Sequence, residues 1–220
     1  MVTLMKPKII IPIILVLSLL TGCGKSVTVV DEGSDAVTIN PGDYSGEMCY
    51  EVIDSYVTTD LAESGIDLQN IDQYASVRDS DGEFIDYPDF MGDDAQLTDG
   101  CEMYVVKLRV TNTDAQYKYE KETDYGSPYI FRADNISLCY ISQDEKTAIP
   151  TTISYYSLRN EDESIWSTYE LQPGETIEYE IGFILGPVVV DDSGKTFEVS
   201  GERLFLSGED GYHRISWDVR

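Results

Sequence analysis

Histidine is nearly missing from this chain: His213 is the sole imidazole among 220 residues. Any Ser-His-Asp or Cys-His mechanism would have to use it. It alternates with Ile215, Trp217 and Val219 along an apolar strand face, which is a packing position. Basic residues are scarce too, 15 Lys and Arg against 41 Asp and Glu, for a formal charge of −26. A field of that sign repels nucleic acid and anionic headgroups, so no nucleic acid is expected among the partners of the folded domain. The four cysteines have no zinc spacing. Neither G-x-S-x-G, H-E-x-x-H nor a phosphate-cradling glycine loop occurs. Helical periodicity is almost absent. These gaps point away from an enzyme and from a resident cofactor.

Long apolar runs reduce to a single one. Residues 9–20 are apolar apart from Pro12 and Ser18, follow Lys6 and Lys8, and lead into Leu20-Thr21-Gly22-Cys23. This is the layout of a secretory signal, too short to persist as a membrane-spanning helix. The last four residues resemble the lipobox of bacterial lipoproteins. That resemblance implies acylation of Cys23 and residence on the extracytoplasmic face of the cell membrane, at a Gram-positive cell surface. Two acyl chains make such attachment stable. The expected organisation is a signal peptide over residues 1–22, a lipidated N-terminus and flexible tether over 23–46, and a folded domain over 47–220. Loss of residues 1–22 removes Lys6 and Lys8 and takes the charge from −26 to −28.

The tether reading rests on Gly, Ser and acidic residues between positions 24 and 46, which give a reach of about 25 Å if fully flexible. Two β-branched runs inside it, 27–30 and 37–39, are candidates for edge strands. With Cys23 given to the lipid, Cys49, Cys101 and Cys139 remain. One disulfide plus a free thiol is open in an oxidising compartment, and so are three buried thiols, the favoured reading.

Beyond residue 46 the hydrophobic period is two. Met48, Tyr50 and Val52 alternate with Cys49, Glu51 and Ile53, predicting a strand to about Thr58. Thr59 and Asp60 are placed to cap a short helix that Gly65 would stop. Residues 79–99, rich in acid, Gly and Pro, read as a long surface loop. Tyr104, Val106, Leu108 and Val110 face a core while Lys107, Arg109 and Thr111 face water. A strand is expected within 129–141. Pro173-Gly174 suits a type II turn, from which Ile177, Tyr179, Ile181 and Phe183 alternate onward. Short strands follow near 197–199 and 204–206, and a last one over 212–219. The sum is an all-β, antiparallel, immunoglobulin-like β-sandwich of about seven or eight strands with one short helix.

Two segments carry a family resemblance: Val106-Lys107-Leu108-Arg109-Val110-Thr111-Asn112-Thr113, and the stretch from Leu171 through Pro173-Gly174-Glu175 to Phe183. They resemble the V-x-V-x-N strand and L-x-P-G-E turn of telokin-like, immunoglobulin-fold domains of unknown function on lipoproteins of Firmicutes. The similarity spans residues 47–219, and a clostridial lipoprotein family of unknown function is similar over the whole length. It implies fold and location and brings no catalytic residue with it.

Two sets of residues are candidate sites. Asp79, Asp81 and Glu83 sit in an acidic stretch that offers oxygen ligands for calcium, against the alternative of a solvated acidic loop. Tyr125, Tyr129, Tyr155, Tyr156 and Trp166 flank loops and offer a stacking platform for a glycan or peptide, against ordinary packing. The functional expectation is a membrane-anchored, non-catalytic binding or interaction module with a protein or glycan partner in the cell envelope. The alternatives are a cell-envelope hydrolase and a calcium-dependent glycan- or peptide-binding domain.

Overall fold

A computed structural model describes residues 29–30, 36–39, 44–98, 100–117, 129–132, 137–143, 147–158, 168–208, 211–214 and 218–219. The chain is all-β, built mainly of antiparallel sheets. A five-stranded sheet runs in the order β1 (Val29–Val30), β18 (Gly211–Arg214), β17 (Leu204–Gly208), β10 (Ser137–Ile141), β11 (Ala148–Thr151). A six-stranded sheet runs β12 (Tyr155–Tyr156), β14 (Thr176–Leu185), β7 (Glu102–Asn112), β4 (Met48–Thr58), β19 (Asp218–Val219), with β2 (Ala36–Ile39) also on β4. Four two-stranded ribbons complete it: β3 (Tyr44–Ser45) with β8 (Gln116–Tyr117), β5 (Ser76–Arg78) with β6 (Phe84–Asp86), β9 (Tyr129–Arg132) with β13 (Thr168–Leu171), and β15 (Val188–Val190) with β16 (Thr196–Glu198).

One hydrophobic cluster joins the two large sheets. Leu138, Tyr140, Leu204 and Leu206 from the five-stranded sheet meet Met48, Tyr50, Tyr104, Val106, Leu108, Ile181 and Phe183 from the six-stranded one. The expected alternation of β7 and β14 is therefore met. On β4 it holds only as far as Val52. Val52 pairs with Leu108 and Asp54 with Lys107, so Ile53 is an unpaired extra residue. This bulge reverses the phase, and the buried positions move from Met48 and Tyr50 to Ser55 and Val57.

The first half of β7 is buried on both faces. Met103 and Val105 point away from the main cluster into a second one with Leu61, Ile66, Val77, Phe90, Leu97 and Ile184. That cluster corrects the long surface loop expected over 79–99: the stretch folds back through β6 and plants Phe90 and Leu97 against the sheet. The short helix is corrected as well. Asp60 does cap, its carboxylate accepting from Glu63 N at 2.8 Å, but Gly65 ends the structure after a single turn at φ +74°. Among the described residues the helical ones form two 3-10 turns, Leu68–Asn70 and Gly201–Arg203.

Two further expectations change. The span 129–141 divides into β9 and β10, which belong to different sheets, and 212–219 divides likewise into β18 and β19. The two β-branched runs read as candidate edge strands do pair, as β1 on β18 and β2 on β4, and Tyr44–Ser45 adds β3 on β8.

Candidate functional site

The solvent face of the six-stranded sheet carries its charge in rows. Arg109 on β7 lies between Glu51 on β4 and Glu178 on β14, with nitrogen–oxygen distances of 2.8 Å to each. These two carboxylates raise the guanidinium pKa, Glu178 first. One row along, Lys107 stands in register between Asp54 and Glu180. On the other side of Arg109, Thr111 and Thr176 share a hydroxyl hydrogen bond of 2.9 Å. A central strand that supplies the bases, flanked by strands that supply acids, follows from cross-strand pairing.

At the end where β4 finishes and β7 begins, these rows run into a cleft of about 760 Å³. Its carboxylates come from four places: Asp54 on β4, Asp60 and Glu63 on the capped turn, Glu102 on β7 and Glu180 on β14. None of its lining residues is basic. The ion pairs of Arg109 lie outside it. Two of the acids are held in place. Asp60 accepts from Glu63 N and from the Gln96 side-chain amide, and Glu102 accepts from the Tyr104 hydroxyl at 2.9 Å. Burial, then the Glu102 carboxylate, pushes the Tyr104 phenol well above its ordinary range, so it stays a proton donor to Glu102.

The residues singled out from sequence fall elsewhere. Asp79 begins a hairpin loop between β5 and β6: its Oδ1 accepts from Asp81 N at 2.9 Å and Glu83 N at 3.0 Å. Gly82 N donates to the Asp79 carbonyl at 3.0 Å, with Gly82 at φ +83°. The same D-x-x-G-x loop recurs at Asp191 to Lys195 between β15 and β16, where Asp191 Oδ1 accepts from Ser193 N and Lys195 N. A Cβ on Gly82 would lie 3.5 Å from Val190, so the two hairpins are neighbours. The Asp79, Asp81, Glu83 spacing is thus a hairpin signature, a type I turn closed by a left-handed glycine. Among the described residues no three metal-ligating side chains come together.

Tyr155 and Tyr156 are core residues, 4 % and 8 % exposed, and they belong to different clusters. Adjacent strand residues point to opposite faces, so they cannot form one stacking surface. Tyr129 lies in β9, its ring outside the described residues, as are Tyr125, Trp166 and the anchor residue Cys23. His213 is paired with Leu206 and Val30 through its backbone. Cys49, Cys101 and Cys139 are free thiols, the last two buried. Among the described residues no helix is long and apolar enough to cross a membrane.

Sequence reasoning missed the acidic cleft because its members come from separated strands. The signal that existed was the alternation of acids with apolar residues on β14, which places Glu180 outward; on β4 the same alternation would put Asp54 on the face of Met48 and Tyr50, and the bulge at Ile53 turns it out.

No family model, curated protein or solved structure matches the chain.

Proposed function

We propose that this chain is a lipid-anchored, non-catalytic binding module on the extracytoplasmic face of the cell membrane, and that its acidic cleft takes a Lys- or Arg-rich segment of an envelope protein. The cleft carries the proposal. Five carboxylates line one concavity without a lining base, a geometry that concentrates negative potential and attracts cationic groups. The fold is read as an immunoglobulin-like β-sandwich, supported by a core to which both large sheets contribute and by mostly antiparallel connections. Anchorage rests on the lipobox-like Leu20-Thr21-Gly22-Cys23.

The test uses the chain with Cys23→Ser, titrated with an oligolysine peptide at two salt concentrations. Binding should weaken with salt and drop at least about tenfold when Glu102→Gln and Glu180→Gln are combined, the scale expected for losing two charge contacts. Glu51→Gln and Glu178→Gln together, which leave the cleft intact, should change it far less. Equal losses from the two pairs would mean that the general field binds the peptide, and the cleft reading would fail.

A further inference from the structure

The N-terminal strands have a mechanical consequence. β1 pairs in parallel with β18, Val29 opposite Tyr212 and Val30 opposite His213, at the outer edge of the five-stranded sheet. β2 pairs with β4 in the other large sheet, from Ala36 opposite Glu51 to Ile39 opposite Met48. One short segment is thus fastened to both large sheets. The C-terminal strands do the same, with β18 in one sheet and β19 on β4 in the other. Each two-residue pairing is weak alone, since a ladder hydrogen bond contributes only about 1 kcal/mol net. Fastening at two sheets makes slipping of one pairing insufficient to release the segment.

Val29 follows Cys23 by six positions. We propose, resting on the reading that Cys23 carries the lipid anchor, that the anchor is a short leash: it holds the edge bearing β1 and β18 within about 20 Å of the bilayer surface, the full extension of six residues. The occupant facing that edge is the lipid surface. A free spacer over 23–46 would instead let the domain wander, with a mean reach of about 25 Å and a far longer maximum.

Electrostatics fits the shorter length. A domain of strongly negative charge is repelled by anionic headgroups over a Debye length of about 8 Å at physiological salt. A leash whose full extension is about 20 Å spans more than two such lengths, long enough for the domain to stand clear of the headgroup potential. Its cleft then searches the layer next to the membrane and no deeper into the envelope.

The experiment uses the full chain, lipidated and reconstituted into phosphatidylglycerol–phosphatidylcholine vesicles carrying a headgroup acceptor dye. A donor is placed at Ser137→Cys in a Cys49→Ser background. Insertion of twelve Gly and Ser residues between Gly24 and Lys25 should move the donor outward by about 10 Å, by random-coil scaling, and lower energy transfer accordingly. Amides of residues 29–30 and 36–39 should exchange at least about tenfold more slowly than those of the inserted linker, as expected for hydrogen-bonded strands. Equal transfer from the two chains, or free-chain exchange at those amides, overturns the leash. If the chain does not partition with vesicles, the anchor reading fails and the leash with it. The exchange protection needs no lipid and would still report on the strands.

Discussion

At the scale of the residue, Asn112 does the most. It is fully buried at the end of β7, where its Nδ2 donates to the carbonyls of Leu171 (2.7 Å) and Ala115 (3.2 Å) and its Oδ1 accepts from Ala115 N at 2.7 Å. Its backbone N–H donates to the Glu175 carbonyl and its carbonyl accepts from Gly174 N. The Val-Thr-Asn strand end and the Pro-Gly turn, two motifs far apart in sequence, are therefore joined by one amide. Asn112→Ala should cost about 3 kcal/mol in urea unfolding, because the strand and loop partners it leaves are buried without replacement. Glycines separate two effects. A Cβ on Gly186 would overlap the Arg78 carbonyl, whereas one on Gly174 meets nothing but sits at φ +85°. Gly186→Ala should cost about 2–3 kcal/mol through overpacking, and Gly174→Ala about 1 kcal/mol through backbone strain. Equal costs would remove the distinction. The thiols grade by exposure: burial raises the pKa of Cys49, Cys101 and Cys139 above the ordinary 9.0. Half-buried Cys49 should react first with a thiol reagent, faster as pH rises past 9.0, and the other two should wait for unfolding.

The elements show how a short signal is reused. The two D-x-x-G-x hairpins carry one aspartate each on the loop amides, so Asp79→Ala should destabilise by about 1 kcal/mol for its lost hydrogen bonds. Asp81→Ala and Glu83→Ala, exposed and outside the loop's carboxylate bonds, should be near neutral. A calcium site would make all three sensitive, and only in the presence of the metal. In the second hairpin the Ser193 hydroxyl, followed by the Lys195 amide, lowers the Asp191 pKa below its ordinary 3.8. A lowered carboxylate pKa supports the fold above 3.8 and gives that support up as pH falls through the lower folded value. The protection factors of the Ser193 and Lys195 amides should therefore fall in that acid window and hold constant from pH 5 upward; a loss of protection near neutral pH would refute the assignment. At the sheet edge, Pro150 opposite Cys139 in β11 withholds a backbone donor, which blunts pairing with a second chain.

For the molecule as a whole, the legible part was the one-sided strands. Tyr104 to Val110 and Ile177 to Phe183 alternate cleanly, and the structure pairs them along their length in β7 and β14. The Pro-Gly turn was legible for the same local reason, a fixed proline φ before a glycine at positive φ. Residues 79–99 misled because polar composition hid a few deep anchors. Phe90 is 0 % exposed in a stretch otherwise crowded with Asp and Gly. Tyr155 and Tyr156 misled in the opposite direction, since aromatic rings beside loops suit a binding surface and a core equally well.

Period, turn chemistry and charge were determined by the sequence alone, because each depends on neighbours within a few residues and on elementary sums. All-β architecture, the Pro173-Gly174 turn and a strongly acidic character all follow from these. The tertiary structure decided what depends on partners distant in the chain. The bulge at Ile53 needed β7 beside β4 to define it, and the second core needed residues 59–97 folded onto a sheet face. The acidic cleft needed Asp54, Glu102 and Glu180 brought together from three strands. Strand pairing is non-local, so the spacing of letters along a chain does not contain it; register and packing do.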